Sequence, residues 1–177
     1  RFNQSLSESS FDTWIKFYRK DENFNNSQVS YYTKGALVSL MLNIEIIKST
    51  NAEMSLDNAL RMLYDDYKKD NSKGFTDERV KEVCEIVCGK NLDEFWKLYI
   101  SGTAELPLGS YLSECGLELL NENESAQCTL DIEAKSENGK YVIVKVFAGG
   151  SAYESGLNAK DEIISVNGIR IDENLTK

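Results

Sequence analysis

Ser30-Tyr31-Tyr32-Thr33-Lys34-Gly35-Ala36 opens the most apolar stretch of a 177-residue chain that contains no histidine. Ser30 is a natural N-cap, because its hydroxyl can accept from a backbone N–H left without a partner in the first turn. Nine of the twelve residues that follow, from Ala36 to Ile47, are apolar. A helix running from about Ser30 to Ser49 is therefore expected to be apolar nearly all round and buried on most sides. Ser39, Asn43 and Glu45 interrupt the run, which falls short of the roughly 20 apolar residues that a membrane span needs. This helix is the centre on which the first part of the chain should pack.

The segments on either side read as further helices. Ser9 or Ser10 can cap a helix carrying Phe11, Trp14, Ile15, Phe17 and Tyr18, spaced to make one aromatic face. Asp21 to Gln28 is polar and reads as a loop. Ser55 can cap Leu56 to Lys69, with a stripe of Leu56, Ala59, Leu60, Leu63, Tyr64 and Tyr67, and Asp57 suits the positive end of that helix. Thr76 can cap another helix through Val87, which Gly89 would end in a left-handed conformation. A shorter helix from Asn91 or Leu92 to about Ile100 follows, and after Pro107, the only proline, a last helical stretch around Ser110 to Glu114.

From about Leu119 the pattern changes period. Thr129-Leu130-Asp131-Ile132-Glu133-Ala134 alternates, Asn138-Gly139 is a tight-turn signal, and Tyr141 to Val146 is rich in β-formers, so a hairpin is expected. A short helix bounded by Gly149-Gly150 and Gly156 comes next, and Glu162 to Gly168 reads as a strand running into a turn. The boundary is placed at 117–127, in the polar stretch Asn121-Glu122-Asn123-Glu124-Ser125. The expected fold class is α+β in two units, helical over 1–118 and β-rich over 119–177.

Composition narrows the functional classes. A net charge of −9 and a pI near 4.7, with no basic stripe, argue against nucleic-acid binding. Cys84, Cys88, Cys115 and Cys128 are too few and scattered for a disulfide scaffold, and lean toward a reducing, cytoplasmic compartment. Cys84 and Cys88 share a helix face, but no histidine or second close pair completes a metal set, so they read as core. The sequons at Asn3, Asn25, Asn123 and Asn174 are chance matches in a chain rich in Asn and Ser. Asp65-Asp66 and Asp77-Glu78 are paired acids that read as solvated helix ends. No basic and apolar leader pattern is visible before the first helix, so no signal peptide is expected in this stretch.

Several segments carry a resemblance. Val142 to Val146, Gly150-Ser151-Ala152, Ser155-Gly156-Leu157 and Asp161 to Gly168 resemble, in order, a PDZ domain of the bacterial protease type. PDZ domains bind extended peptides by strand addition and capture a terminal carboxylate in a backbone loop. Here Leu130-Asp131-Ile132 stands where that loop should be, with an acid facing the ligand carboxylate. The chain reaches Lys177 before the second helix and last strand that would wall the groove, so only part of such a domain is expected.

Ser10-Phe11-Asp12-Thr13-Trp14-Ile15-Lys16-Phe17-Tyr18, Val29 to Leu37, Gly74-Phe75-Thr76, and Phe95 to Thr103 leading to Leu106-Pro107 resemble the C-terminal helical part of the catalytic region in glycyl aminopeptidases. These are thermolysin-like gluzincin metallopeptidases that carry a PDZ domain after that region. The resemblance implies zinc in the parent enzyme, held by a His-Glu-x-x-His motif and a further glutamate that this chain lacks. In such enzymes a tyrosine hydroxyl donates to the developing oxyanion. Alignment of Tyr-x-Lys-Gly makes Tyr32 the candidate, with Tyr31 the adjacent alternative. Taken alone, a tyrosine beside an apolar helix is a core aromatic with a satisfied hydroxyl. Lys34 would orient the region or lie solvated in the first turn, and Gly35 would admit a close neighbour.

The expectation is a C-terminal fragment of a zinc-dependent aminopeptidase, itself inactive, whose parent takes peptide substrates and has an implied glycyl preference. The rival is a non-catalytic helical-plus-PDZ module that docks peptides or proteins.

Overall fold

The structure is a computed structural model that describes residues 3–72, 74–120 and 129–171. It is α+β, helical first and then antiparallel β. The polar stretch 121–125, most of the proposed boundary, Cys128 and the sequons at Asn123 and Asn174 lie outside the described residues.

By compactness the chain divides into two units, and the division is discontinuous. One unit is Arg1–Thr13 with Val29–Leu120, and the other is Trp14–Gln28 with Asn121–Lys177. A linear reading of the sequence carries no signal for this excursion of 14–28, because the segment is itself helical and polar like its neighbours.

In the first unit α1 (Leu6–Phe11) is capped by Ser5, whose Oγ accepts from the Glu8 N–H at 3.1 Å. The expected start at Ser9 or Ser10 is corrected: Ser9 lies inside the helix and is buried. The π-helical turn Thr13–Phe17 follows, its residues from Trp14 on belonging to the second unit. The long helix α3 (Tyr31–Ser49) begins as expected, with Ser30 Oγ accepting from the Thr33 N–H at 3.2 Å. It buries Val38, Met41, Leu42, Ile44 and Ile46, while Leu40 and Ile47 stay exposed.

Around α3 pack α4 (Leu56–Lys69), α5 (Asp77–Cys88), α6 (Asp93–Phe95) with the π-helical turn Trp96–Ile100, and α7 (Leu108–Glu114). Asn58 Oδ1 accepts from the Ser55 N–H at 2.9 Å, and the Leu56 N–H donates to Asn43 Oδ1 at 2.9 Å, tying the start of α4 to α3. Gly89 ends α5 with φ 72°, the left-handed conformation its position calls for. Met41, Ile46, Val83 and Cys84 are essentially sealed from solvent. Burial of each such side chain contributes about 1.5–3 kcal/mol, so a few facing α3 and α5 residues hold this unit together.

The expected apolar stripe on α4 is only half buried. Ala59 and Leu63 face the core, whereas Leu60, Tyr64 and Tyr67 are exposed, with the last two rings stacked at 6.5 Å. Phe11 is likewise on the surface.

In the second unit α2 (Phe24–Ser27) is a single turn where a loop was expected. The hairpin β1 (Ile132–Glu137) and β2 (Lys140–Val146) turns through Asn138 and Gly139 at φ 54° and 74°. A register shift at Glu133/Ala134 marks a bulge. β3 (Glu162–Ile163) pairs antiparallel with β2, giving the order β1-β2-β3. After the helical turn α8 (Ser151–Glu154), β4 (Ser165–Val166) and β5 (Ile169–Arg170) form a separate hairpin. The small core is Ile143, Val146 and Ala152. Asn26 belongs to this unit physically: its Nδ2 donates to the Val146 carbonyl at 2.8 Å, and its Oδ1 accepts from the Ala148 N–H at 2.8 Å.

Among the described residues no helix is long and apolar enough to cross a membrane.

Candidate functional site

The tyrosine pair sits at the first turn of α3. Tyr31 and Tyr32 have ring centroids 4.1 Å apart with planes inclined by 31°. Tyr32 is 60% exposed, so it is not a core aromatic. Its backbone is fixed by the Ser30 cap and by a helix whose next turns enter the core, which places an exposed side chain on a well-anchored base.

The segments on either side of the pair carry buried polar residues that the sequence did not announce. Gln4, Ser5, Ser9, Thr13 and Lys34 are all buried, with Gln4 and Ser9 only 3% exposed. Gln4 Oε1 accepts from the Val29 N–H at 3.2 Å, and Ser9 Oγ donates to the Val29 carbonyl at 2.7 Å. Thr13 Oγ1 reaches back to the carbonyls of Ser9 and Ser10 at 3.0 and 2.7 Å. Each buried polar group is thereby satisfied, which it must be to avoid a desolvation cost of a few kcal/mol (~1–3).

Lys34 is 8% exposed, which settles its reading: it is not solvated. Its Nζ donates to the Gln4 carbonyl at 3.5 Å, and burial pushes the ammonium below the usual lysine range. Gly35 is not sterically demanded, since a Cβ there would meet only Leu6 Cδ1 at 3.7 Å, an ordinary contact.

The other candidate positions lie elsewhere. Leu130, Asp131 and Ile132 precede and enter β1. The Leu130 carbonyl accepts from the Ala152 N–H at 3.3 Å and the Asp131 carbonyl from the Phe147 N–H at 2.9 Å. Asp131 adopts φ 52°, and its Oδ1 accepts from Thr129 Oγ1 at 2.5 Å. A Cβ on Gly150 would collide with the Asp131 side chain, so glycine is required where the two segments meet.

Cys84 and Cys88 are core residues. Burial pushes the Cys84 thiol up to about 11, so it is no thiolate ligand at neutral pH, and Cys88 Sγ lies 3.1 Å from Ser49 Oγ. The paired acids are surface ion-pair partners: Asp65 with Lys68, and Asp66 with Arg79, whose hydrogen bond holds the Asp66 carboxyl below its ordinary range. Among the described residues no group of three or more Cys, Asp or Glu side chains converges to hold a metal ion. The chain contains no histidine, and the described residues do not assemble a zinc centre.

Three comparisons bear on these observations. Residues 1–38, which contain Gln4, Ser9, Val29 and the Tyr31–Gly35 motif, match the family model of the M61 glycyl aminopeptidases. A comparison with curated proteins finds no match. Among solved structures the chain is similar to a crystal structure of an aminopeptidase N family protein from Idiomarina loihiensis, at 28% identity and a TM-score of 0.82. That match covers 99% of this chain and 32% of the other, so the chain spans about a third of that relative's length.

Proposed function

We propose that this chain, a relative of the M61 glycyl aminopeptidases, is one wall of the active site of a longer aminopeptidase and presents Tyr32 to the substrate carbonyl. The observation that carries the reading is an exposed tyrosine on a rigid, capped and deeply packed helix, within the stretch that matches the family. A phenol O–H held there can donate to the oxyanion that forms as the peptide bond after an N-terminal residue is attacked. A donor aimed at charge that exists only in the transition state lowers the barrier without tightening ground-state binding. The glycyl preference follows from kinship alone.

The zinc such enzymes use would polarise the carbonyl and activate water. Its ligands would be supplied by the rest of the longer protein. The second unit is read as PDZ-like, from its hairpin, helical turn and short strands in the expected order. At Leu130-Asp131-Ile132 the acidic Asp131 side chain would repel a peptide carboxylate, so its capture at this loop is disfavoured.

In the longer protein, Tyr32→Phe is expected to lower kcat by about 10²–10³ with KM nearly unchanged, the effect of removing one oxyanion donor. Unaltered kcat would return Tyr32 to a structural role.

A further inference from the structure

The tyrosine pair is bracketed by bonds to one residue. Gln4 accepts from Val29, two positions before Tyr31, through its side chain, and from Lys34, two positions after Tyr32, through its carbonyl. Ser9 closes the remaining backbone group of Val29. Both partners come from the α1 segment, and the two bonds to Val29 are buried. Serine inside a helix is a poorer helix former than alanine, and a buried amide side chain costs stability unless it is bonded. Their common effect is to grip the backbone that leads into α3.

We propose that Gln4 and Ser9 are positioning residues that hold the Val29–Lys34 segment, and with it the ring of Tyr32, in a single orientation. The functional weight of this rests on the oxyanion reading of Tyr32; the clamp itself does not. Releasing either backbone group of Val29 frees the turn that carries the tyrosines while leaving the α3 core in place. Ser30 still caps the helix, so the loss is local.

The test uses the chain as it is, with tyrosine rings labelled for NMR and amide exchange read along the sequence. Gln4→Met keeps the length of the side chain and removes the acceptor. It is expected to raise exchange at residues 29–33 about tenfold, the scale of one lost buried hydrogen bond, with 38–46 unchanged. The Tyr31 and Tyr32 ring signals, displaced by their stacking at 4.1 Å, should move toward free-tyrosine positions. Gln4→Glu, which restores an acceptor, should recover both. Ser9→Ala raises helix propensity in α1, so it folds, yet should loosen 29–33 in the same way.

Variants that lose global stability evenly, with ring signals and local exchange tracking the whole unit, overturn the proposal. So does Ser9→Ala with native tyrosine signals. Neither result touches the catalytic reading, which stands or falls on the kinetics of Tyr32→Phe.

Discussion

Lys34 shows how a single residue separates stability from function. Its ammonium is buried beside the Gln4 carbonyl, and burial lowers its pKa. The folded chain disfavours the protonated form, so the cost of burial is fully present below the lowered folded pKa. Between that value and the unfolded one, about 10.4, the unfolded chain binds more protons and stability rises with pH. Lys34→Met is therefore expected to melt higher than wild type at neutral pH, with the gap closing as pH approaches about 10.4. Melting curves across that range check it, and a pH-independent gap would contradict it. Gly35→Ala carries the complementary expectation. Helical backbone and an open contact to Leu6 predict a gain of about 0.5–1 kcal/mol in denaturant unfolding. The capped helix start that carries the tyrosine motif was legible in the sequence. Gln4 and Ser9 were not, because a lone Gln and a Ser near a helix start look like solvated or capping residues until α3 is laid against them.

At the level of elements, caps and turns were the readable part. Ser30, Ser55, Thr76 and Gly89 act where hydrogen-bonding groups run out, a local property that spacing reveals. Burial of a face is a long-range property, and there the reading faltered. Leu60, Tyr64 and Tyr67 on α4 have the spacing of a core stripe but stand in solvent, because Ala59 and Leu63 already complete the contact with the core. The π-helical turn Trp96–Ile100 is capped by Ser101 and followed by Gly102, whose tight packing spacing does not reveal. A Cβ on Gly102 would collide with the carbonyl oxygens of Lys97 and Leu98. Gly102→Ala is expected to cost about 1–3 kcal/mol, the usual penalty for forcing an overpacked backbone to shift. A loss within about 0.5 kcal/mol, the scatter of surface substitutions, would show that the turn absorbs the methyl freely.

For the whole molecule, the α+β class and the order of elements follow from periodicity, whereas the grouping of Trp14–Gln28 with the β-rich unit does not. Its basis is side-chain bonds such as Asn26 to Val146 and Lys160 to Glu22, between residues more than a hundred positions apart. On the proposed reading the chemistry is divided as well: this chain would offer a hydroxyl donor, and the zinc ligands of the parent enzyme would come from elsewhere. Supplied with zinc, the 177-residue chain is expected to hydrolyse no aminoacyl-peptide substrate, and saturable turnover would refute the division. The most direct test of the central claim compares Tyr32→Phe with Tyr31→Phe in the longer protein, reading kcat, KM and melting temperature together. The account predicts a fall in kcat of about 10²–10³ for Tyr32→Phe alone, with KM and melting temperature held. Equal kcat for both variants and wild type would contradict it.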